Sequence, residues 1–291
     1  NASTFYEFGY GSDHNNIPRY YEKITLPEGN ISQTYKDGKG QIILTKQIDD
    51  LNGVELSTTY SYNNIGELLE VTDADNKNTV YQYDTFGQKT QVTHPDNGIS
   101  LFEYDLTGKL IASTNQNLLN HNNNARIQYQ YIFNQLQAVN YPAIQSNGVF
   151  IPASVVSYTY GGNGAPNYSA GRITSVTDLT GTQTFEYGKL GEVVKEDRIL
   201  QSYVGTMQFV TQYQYDSWGR MLNITYPDDE IVTYNYNKVG QLQSIINDKG
   251  EYYLKNVTYN FFDQPVQIDY GNDLVTFNAY DLMQRKRSMR L

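Results

Sequence analysis

The 291-residue chain contains no cysteine, one tryptophan, three histidines and eight prolines. Without cysteine there is no disulfide framework and no thiolate zinc site, and the redox compartment stays open. Positive charge is scarce: 21 Lys and Arg stand against 31 Asp and Glu, a net charge of −10 and a pI of about 4.8. Such a chain repels a phosphate backbone, so nucleic acid is not an expected partner. No run reaches the roughly 18 to 20 apolar residues that cross a bilayer as a helix, and Asn1 to Tyr10 has no basic region followed by an apolar one. Neither a membrane-spanning helix nor a targeting signal is expected. Residue 1 is Asn rather than Met, which reads as a mature or excised piece.

Tyrosine, in contrast, is abundant, with 28 copies beside 11 phenylalanines. Large β-favouring side chains in so uniform a form point to repetition. Tyr81 to Lys89 reads YQYDTFGQK, Phe102 to Leu110 FEYDLTGKL, Tyr213 to Met221 YQYDSWGRM and Tyr234 to Leu242 YNYNKVGQL. Weaker copies begin at Tyr60, Tyr129, Tyr158, Phe185 and Val257. The second aromatic falls at Tyr62, Tyr83, Tyr104, Tyr131, Tyr160, Tyr187, Tyr215, Tyr236, Tyr259 and Tyr280, at intervals of 21, 21, 27, 29, 27, 28, 21, 23 and 21 residues. A 21-residue unit therefore recurs, with insertions in the middle copies at Asn115 to Asn124, Ala143 to Ala153, Gly161 to Gly171 and Arg198 to Val210. Their polar or Gly/Pro-bearing character reads as longer hairpin loops.

One unit reads as one β-hairpin. Leu222, Ile224 and Tyr226 alternate with Asn223 and Thr225, Pro227 to Asp229 make a turn, and Val232, Tyr234 and Tyr236 return on one face. Aromatics at i and i+2 share a strand face, which predicts a ladder of rings across successive units. The Asp or Asn after the pair is expected to cap backbone amides while the following Gly takes a positive φ. The structural repeat positions are thus Tyr81, Tyr83, Asp84 and Gly87; Phe102, Tyr104, Asp105 and Gly108; Tyr213, Tyr215, Asp216, Gly219 and Arg220; and Tyr234, Tyr236 and Gly240.

The pattern Tyr-x-Tyr-Asp-x-x-Gly-Arg at Tyr213 to Arg220, with the Pro-Asp turns Pro95-Asp96 and Pro227-Asp228, closely resembles the RHS/YD repeat from about Tyr35 to the C-terminus. The resemblance implies an all-β fold of tandem antiparallel hairpins in one continuous curved or spiralling sheet, part of a hollow shell. Such shells occur in bacterial polymorphic toxins, in the cocoon of insecticidal toxin complexes and in the extracellular part of teneurins, and they imply a secreted or cell-surface location. Residues 1–34 are expected to be an irregular portion or a degenerate repeat, and 35–291 to hold about ten repeats that continue beyond Leu291. Ten hairpins, about 20 strands at roughly 4.8 Å, span about 95 Å of sheet edge, enough to close a ring of only about 30 Å diameter. Asn134, Asp263 and Gln284 stand where the repeat has Gly, and Gly188 where it has Asp; longer or distorted connections are expected there. No Asp-Pro-x-Gly-Leu segment is present, so self-cleavage and cargo are not carried over.

No catalytic, cofactor-binding or metal site is expected. DADNKN at Asp73 to Asn78 lacks the Gly and Glu of a calcium loop. His14, His94 and His121 lie far apart in sequence. Ser12-Asp13-His14 sits in no nucleophile elbow, and Gly161, Gly162 and Gly164 lack the Lys-Ser/Thr of a phosphate loop. Sequons occur at Asn1, Asn30, Asn167, Asn223 and Asn256, and Arg285, Lys286, Arg287 and Arg290 read as a strand rather than a basic docking patch. Thr, Asn and Gln at alternate positions argue against the lipid face of an outer-membrane barrel. The expected partners are neighbouring repeats and domains of the same longer chain and an encapsulated toxin polypeptide. The alternative is an adhesive module that binds glycan.

Overall fold

The computed structural model describes residues 4–26, 29–49, 53–121, 125–146, 148–282 and 284–290. Asn1, Leu291 and residues 122–124 of the Asn-rich stretch lie outside them. The regular elements among the described residues are all strands except one short helix, Gln116–His121. The chain divides into two compact units, Asn1–Tyr131 with Val139–Ser154, and Ile132–Ala138 with Val155–Leu291.

In the first unit every strand from Phe5–Ser12 to Leu110–Asn115 pairs antiparallel with the next. In the second, the same holds from Ser154–Tyr160 to Lys286–Arg290. Each unit is thus built on a continuous run of paired hairpins, and the all-β class and hairpin repeat expected from the alternation are both observed. Strand Asn78–Tyr83 shows why: Thr79, Tyr81 and Tyr83 are half-buried while Asn78, Val80 and Gln82 are exposed, a period of two along the chain. Few side chains are fully enclosed. Leu44, Tyr35 and Ile43 form a small cluster packed by Tyr21 and Tyr62 in the first unit. In the second, the cross-strand partners Ile224 and Val232 are buried.

Residues 1–34 include strands Phe5–Ser12 and Pro18–Thr25, joined by a turn at Asp13. Gly161 to Gly171 is a loop closed by the bridge Gly161–Ala170, as expected, but the other three insertions differ from simple loop growth. Arg198 to Val210 lengthens the ladder itself: Val193–Ser202 pairs with Gly205–Tyr215 down to Ser202 opposite Gly205, leaving Tyr203 and Val204 at an exposed tip. The physical reason is that Ile199, Met207 and Phe209 carry the apolar alternation onward, so the extra residues stay paired. The Asn-rich stretch holds the helix Gln116–His121, started by Asn115, whose side-chain oxygen accepts from Leu118 N at 3.0 Å. Ala143 to Ala153 folds as a separate hairpin, Ile144–Ser146 with Val149–Ile151.

The connections expected to be longer or distorted are mostly neither. Asp263 (φ 66°) and Gln284 (φ 64°) take the glycine conformation, and both turns keep the usual backbone bonds, Asn260 N to Gln264 O and Asp281 N to Arg285 O at 2.9 Å. Tight hydrogen bonding across the turn offsets the cost of placing a Cβ in the left-handed region. At Asn134 the connection is shorter, since strands end at Ile132 and resume at Gln135, and Phe133 carries the positive φ.

Candidate functional site

The repeated feature with the most chemistry is the turn after each tyrosine pair. Asp84 Oδ1 accepts from Phe86 N (2.8 Å) and Gln88 N (2.9 Å). Asp105 does the same from Thr107 N and Lys109 N, and Asp216 from Trp218 N and Arg220 N, at 2.8 and 3.0 Å in both cases. Asn237 substitutes in the turn that ends at Gly240, with bonds of 3.1 and 3.0 Å. Gly87, Gly108, Gly219 and Gly240 have φ between 76° and 93°. The Thr107 hydroxyl, then the turn amides, hold the Asp105 carboxyl below its ordinary range. Burial opposes the charge on Asp216, but Arg220 and the Trp218 amide outweigh it and keep that carboxyl low as well. These carboxylates spend their lone pairs on turn amides, which is a structural occupation.

At the N-terminal turn Asp13 binds Asn15 N, Ile17 N and the Arg19 guanidinium, so Ser12-Asp13-His14 is a turn of this kind. Asp73 accepts from Asp75 N and Lys77 N in the DADNKN turn. His94 plays the same part at its Pro-Asp turn, where Nδ1 accepts from Asp96 N and Asn97 N.

The tyrosine pairs contribute differently from the ring ladder expected. Tyr213 and Tyr215 of one pair do approach, with centroids 6.5 Å apart. Equivalent rings of successive units, however, are two strands apart, roughly 9.6 Å at normal strand spacing, too far to stack. The hydroxyl instead reaches the strand that lies between them. Tyr83 OH donates to Leu68 O (2.9 Å), Tyr104 to Lys89 O (3.0 Å), Tyr236 to Met221 O (2.9 Å) and Tyr259 to Leu242 O (2.8 Å). Tyr62, Tyr160, Tyr187 and Tyr280 reach Ile42, Leu136, Ile173 and Pro265 in the same way.

The acceptors have a common origin. The ladder shifts register at the second tyrosine: Tyr83 faces Lys89 while Gln82 faces Gln91, leaving Thr90 as an extra residue, and Tyr62, Tyr236 and Tyr259 face Leu68, Leu242 and Pro265 at similar shifts. A β-bulge disrupts the ladder and turns a carbonyl away from its strand partner. The tyrosine hydroxyl of the next unit supplies the missing donor. Burial raises the pKa of Tyr62, Tyr83, Tyr187, Tyr236 and Tyr259, which keeps each of them a protonated donor. The sequence carried a signal for this: the first position of a pair varies among Tyr, Phe, Val257 and Asn278, but the second is Tyr in every copy.

Successive turns also touch. A Cβ at Gly87 would lie 3.0 Å from Glu67 Oε1 of the preceding turn, and one at Gly108 only 2.8 Å from Gln88 Nε2. Arg220 is held by Asp216 (Nε to Oδ2, 2.7 Å) and lies 4.6 Å from the ring centres of both Trp218 and Tyr236, tying its own turn to the next unit. The turn tips are apolar and open: Ile65, Phe86 and Leu106 in the first unit, and Leu190, Trp218, Val239, Phe261 and Leu282 in the second, are 67% to 103% exposed.

A tandem hairpin repeat stitched by bulge-to-tyrosine bonds defines the class of this chain. Residues 62–99 match the family model described as RHS Repeat, and the chain carries an RHS repeat there. Three solved structures share the fold: TcdB2-TccC3-TEV, the Photorhabdus luminescens Tc holotoxin pore with the TccC3-D651A mutation, and TcdB2-TccC3 without its hypervariable C-terminal region. All are 17% identical and cover 98% of this chain, with TM-scores of 0.74, 0.74 and 0.73. This chain spans 16% of the length of each of those chains. No curated protein matches it. Among the described residues no helix is long and apolar enough to cross a membrane.

Proposed function

We propose that this chain is a wall segment of a larger RHS-type shell, exported or displayed at the cell surface, which encloses or presents a polypeptide domain of the same protein. The observation that carries the reading is the hydroxyl bond that eight of the ten second tyrosines make to a backbone carbonyl of the preceding hairpin. A unit built this way is completed by its successor, so the sheet propagates as a wall. The apolar turn tips support the same reading, because an exposed apolar row is an edge for other protein to cover. We assign the tips to adjoining parts of the same longer polypeptide. The region acts by confinement and carries out no bond chemistry; its repeat carboxylates are taken up by turn amides.

The test is limited proteolysis of the protein from the intact gene. Segments outside the repeats are expected to resist protease while the shell is folded, and to be cut once denaturant opens it. Cleavage at the rate of the isolated segment under native conditions would overturn enclosure.

A further inference from the structure

In the second unit the turn Tyr226–Glu230 and the strands beside it leave a groove of about 560 Å³. Val232, almost fully buried, forms its floor, and Tyr226, Tyr234 and Tyr253 form its aromatic walls. Asp228 and Glu230 line the same groove. Glu230 Oε1 accepts from Tyr253 OH (2.8 Å) and Asn247 Nδ2 (2.9 Å), which fixes the carboxylate beside the ring. Asn247 is itself buried and bound to Glu251 as well, so this support is rigid. Among the described residues neither Asp228 nor Glu230 has a cationic partner, although eleven ion pairs form elsewhere.

We infer that this groove binds the side chain of an arginine in an extended polypeptide segment. Aromatic faces attract a cation through their quadrupole, and a planar guanidinium both stacks on a ring and donates paired hydrogen bonds to a carboxylate. The repeat already uses this chemistry internally, where Arg220 lies over Trp218 and Tyr236 while bound to Asp216. The groove offers the same kinds of group, tyrosine rings and carboxylates, without the arginine. An anion is repelled by both carboxylates and by the chain's net charge of −10. The inference does not depend on the chain being part of a shell.

The test is a titration with the peptide acetyl-Gly-Arg-Gly-amide and its citrulline counterpart, which keeps the shape and loses the charge, read from the NMR shifts of Tyr234 and Tyr253. Arginine is expected to saturate in roughly the millimolar range, as one exposed side-chain contact allows. Citrulline is expected to leave the signals unmoved, and added salt to weaken the arginine response. Glu230→Gln keeps an acceptor for Tyr253 and Asn247 and is expected to weaken binding about fivefold. If that variant does not fold, Asp228→Asn, at an exposed position, carries the same expectation in direction. Equal responses to arginine and citrulline, no saturable arginine response, or cellobiose moving these signals while arginine does not would each overturn the inference, the last in favour of a glycan groove.

Discussion

The regular copies and the expanded copy around Tyr187 solve the same turn by different means. From Tyr62 to Gly108 the units are 21 residues apart, each turn is capped by Asn63, Asp84 or Asp105, and each turn glycine borders only the mobile end of a side chain from the turn before. In the expanded copy around Tyr187 the capping position is Gly188, and the carboxylate arrives from Glu192, which accepts from Leu190 N at 2.8 Å. A Cβ on Gly188 would fall 2.1 Å from Glu192 Oε1, so the exchange of Asp for Gly is what makes room for Glu192. The turn is set by where a side-chain oxygen can reach the amides, and the residue that supplies it is interchangeable. At the opposite edge of the same copy Asp178 caps Thr180 and Gly181, and Gly181 lies against backbone.

The largest expected break in this comparison is Gly181→Ala. Its Cβ would sit 1.8 Å from Ile199 O, at φ 147°, so the paired strand itself must move. The expected destabilisation exceeds about 3 kcal/mol. Gly108→Ala, facing only the end of Gln88, is expected to cost about 1 to 2 kcal/mol, mainly for the left-handed conformation. Urea unfolding of the two variants measures the difference, and equal losses would show that backbone proximity does not separate the two kinds of copy.

A smaller effect concerns acid. The Thr180 hydroxyl, with the Thr180 amide and Arg198, outweighs burial and depresses the Asp178 carboxyl from 3.8 to about 2. A carboxylate depressed in the folded state contributes stability above its unfolded pKa and loses it as pH falls through the folded one, here from 3.8 to about 2. Discounted for partial exposure, the contribution is roughly 1 to 2 kcal/mol. Asp178→Asn is therefore expected to flatten the acid limb of stability between about pH 4 and pH 2, as followed by urea midpoints. An unchanged slope in that window would remove the distinction claimed for this turn.

The smallest effect sharpens the account of the regular copies. Tyr104→Phe keeps the ring and deletes the donor to Lys89 O, at an expected cost of about 1 kcal/mol. Phe102→Tyr, at the first aromatic, is expected to stay within about 0.5 kcal/mol of the parent. If the two changes prove equal in thermal and urea unfolding, the hydroxyl-to-bulge bond is not what distinguishes the second tyrosine.

Much of the fold could be read from local sequence because its determinants lie within a few residues of each other. Asp84 to Gly87 form a turn through bonds spanning two and four residues, and Tyr81 and Tyr83 share a face by the pleat alone. The bridging hydroxyls were not legible in the same way. Tyr104 reaches Lys89 across fifteen residues, and its acceptor exists only because a bulge displaces one residue of the partner strand. The helix Gln116–His121 was missed because six residues carry no full apolar stripe. It is placed by Asn115 and by Gln116, whose side chain accepts from Ile99 N at 3.1 Å. The longer or distorted connections expected at Asp263 and Gln284 do not form, because the turn hydrogen bonds tolerate a left-handed residue there.

By itself, then, the sequence determined the hairpin, its 21-residue recurrence and the chemistry of its turns, since steric preference and short-range hydrogen bonds act between near neighbours. Tertiary structure decided which carbonyl a tyrosine hydroxyl satisfies, how Glu192 replaces a missing aspartate, and that Tyr226, Tyr234 and Tyr253 meet the carboxylates of Asp228 and Glu230 in one groove. Those outcomes depend on strand register and bulge position, which bring together residues that no local pattern connects.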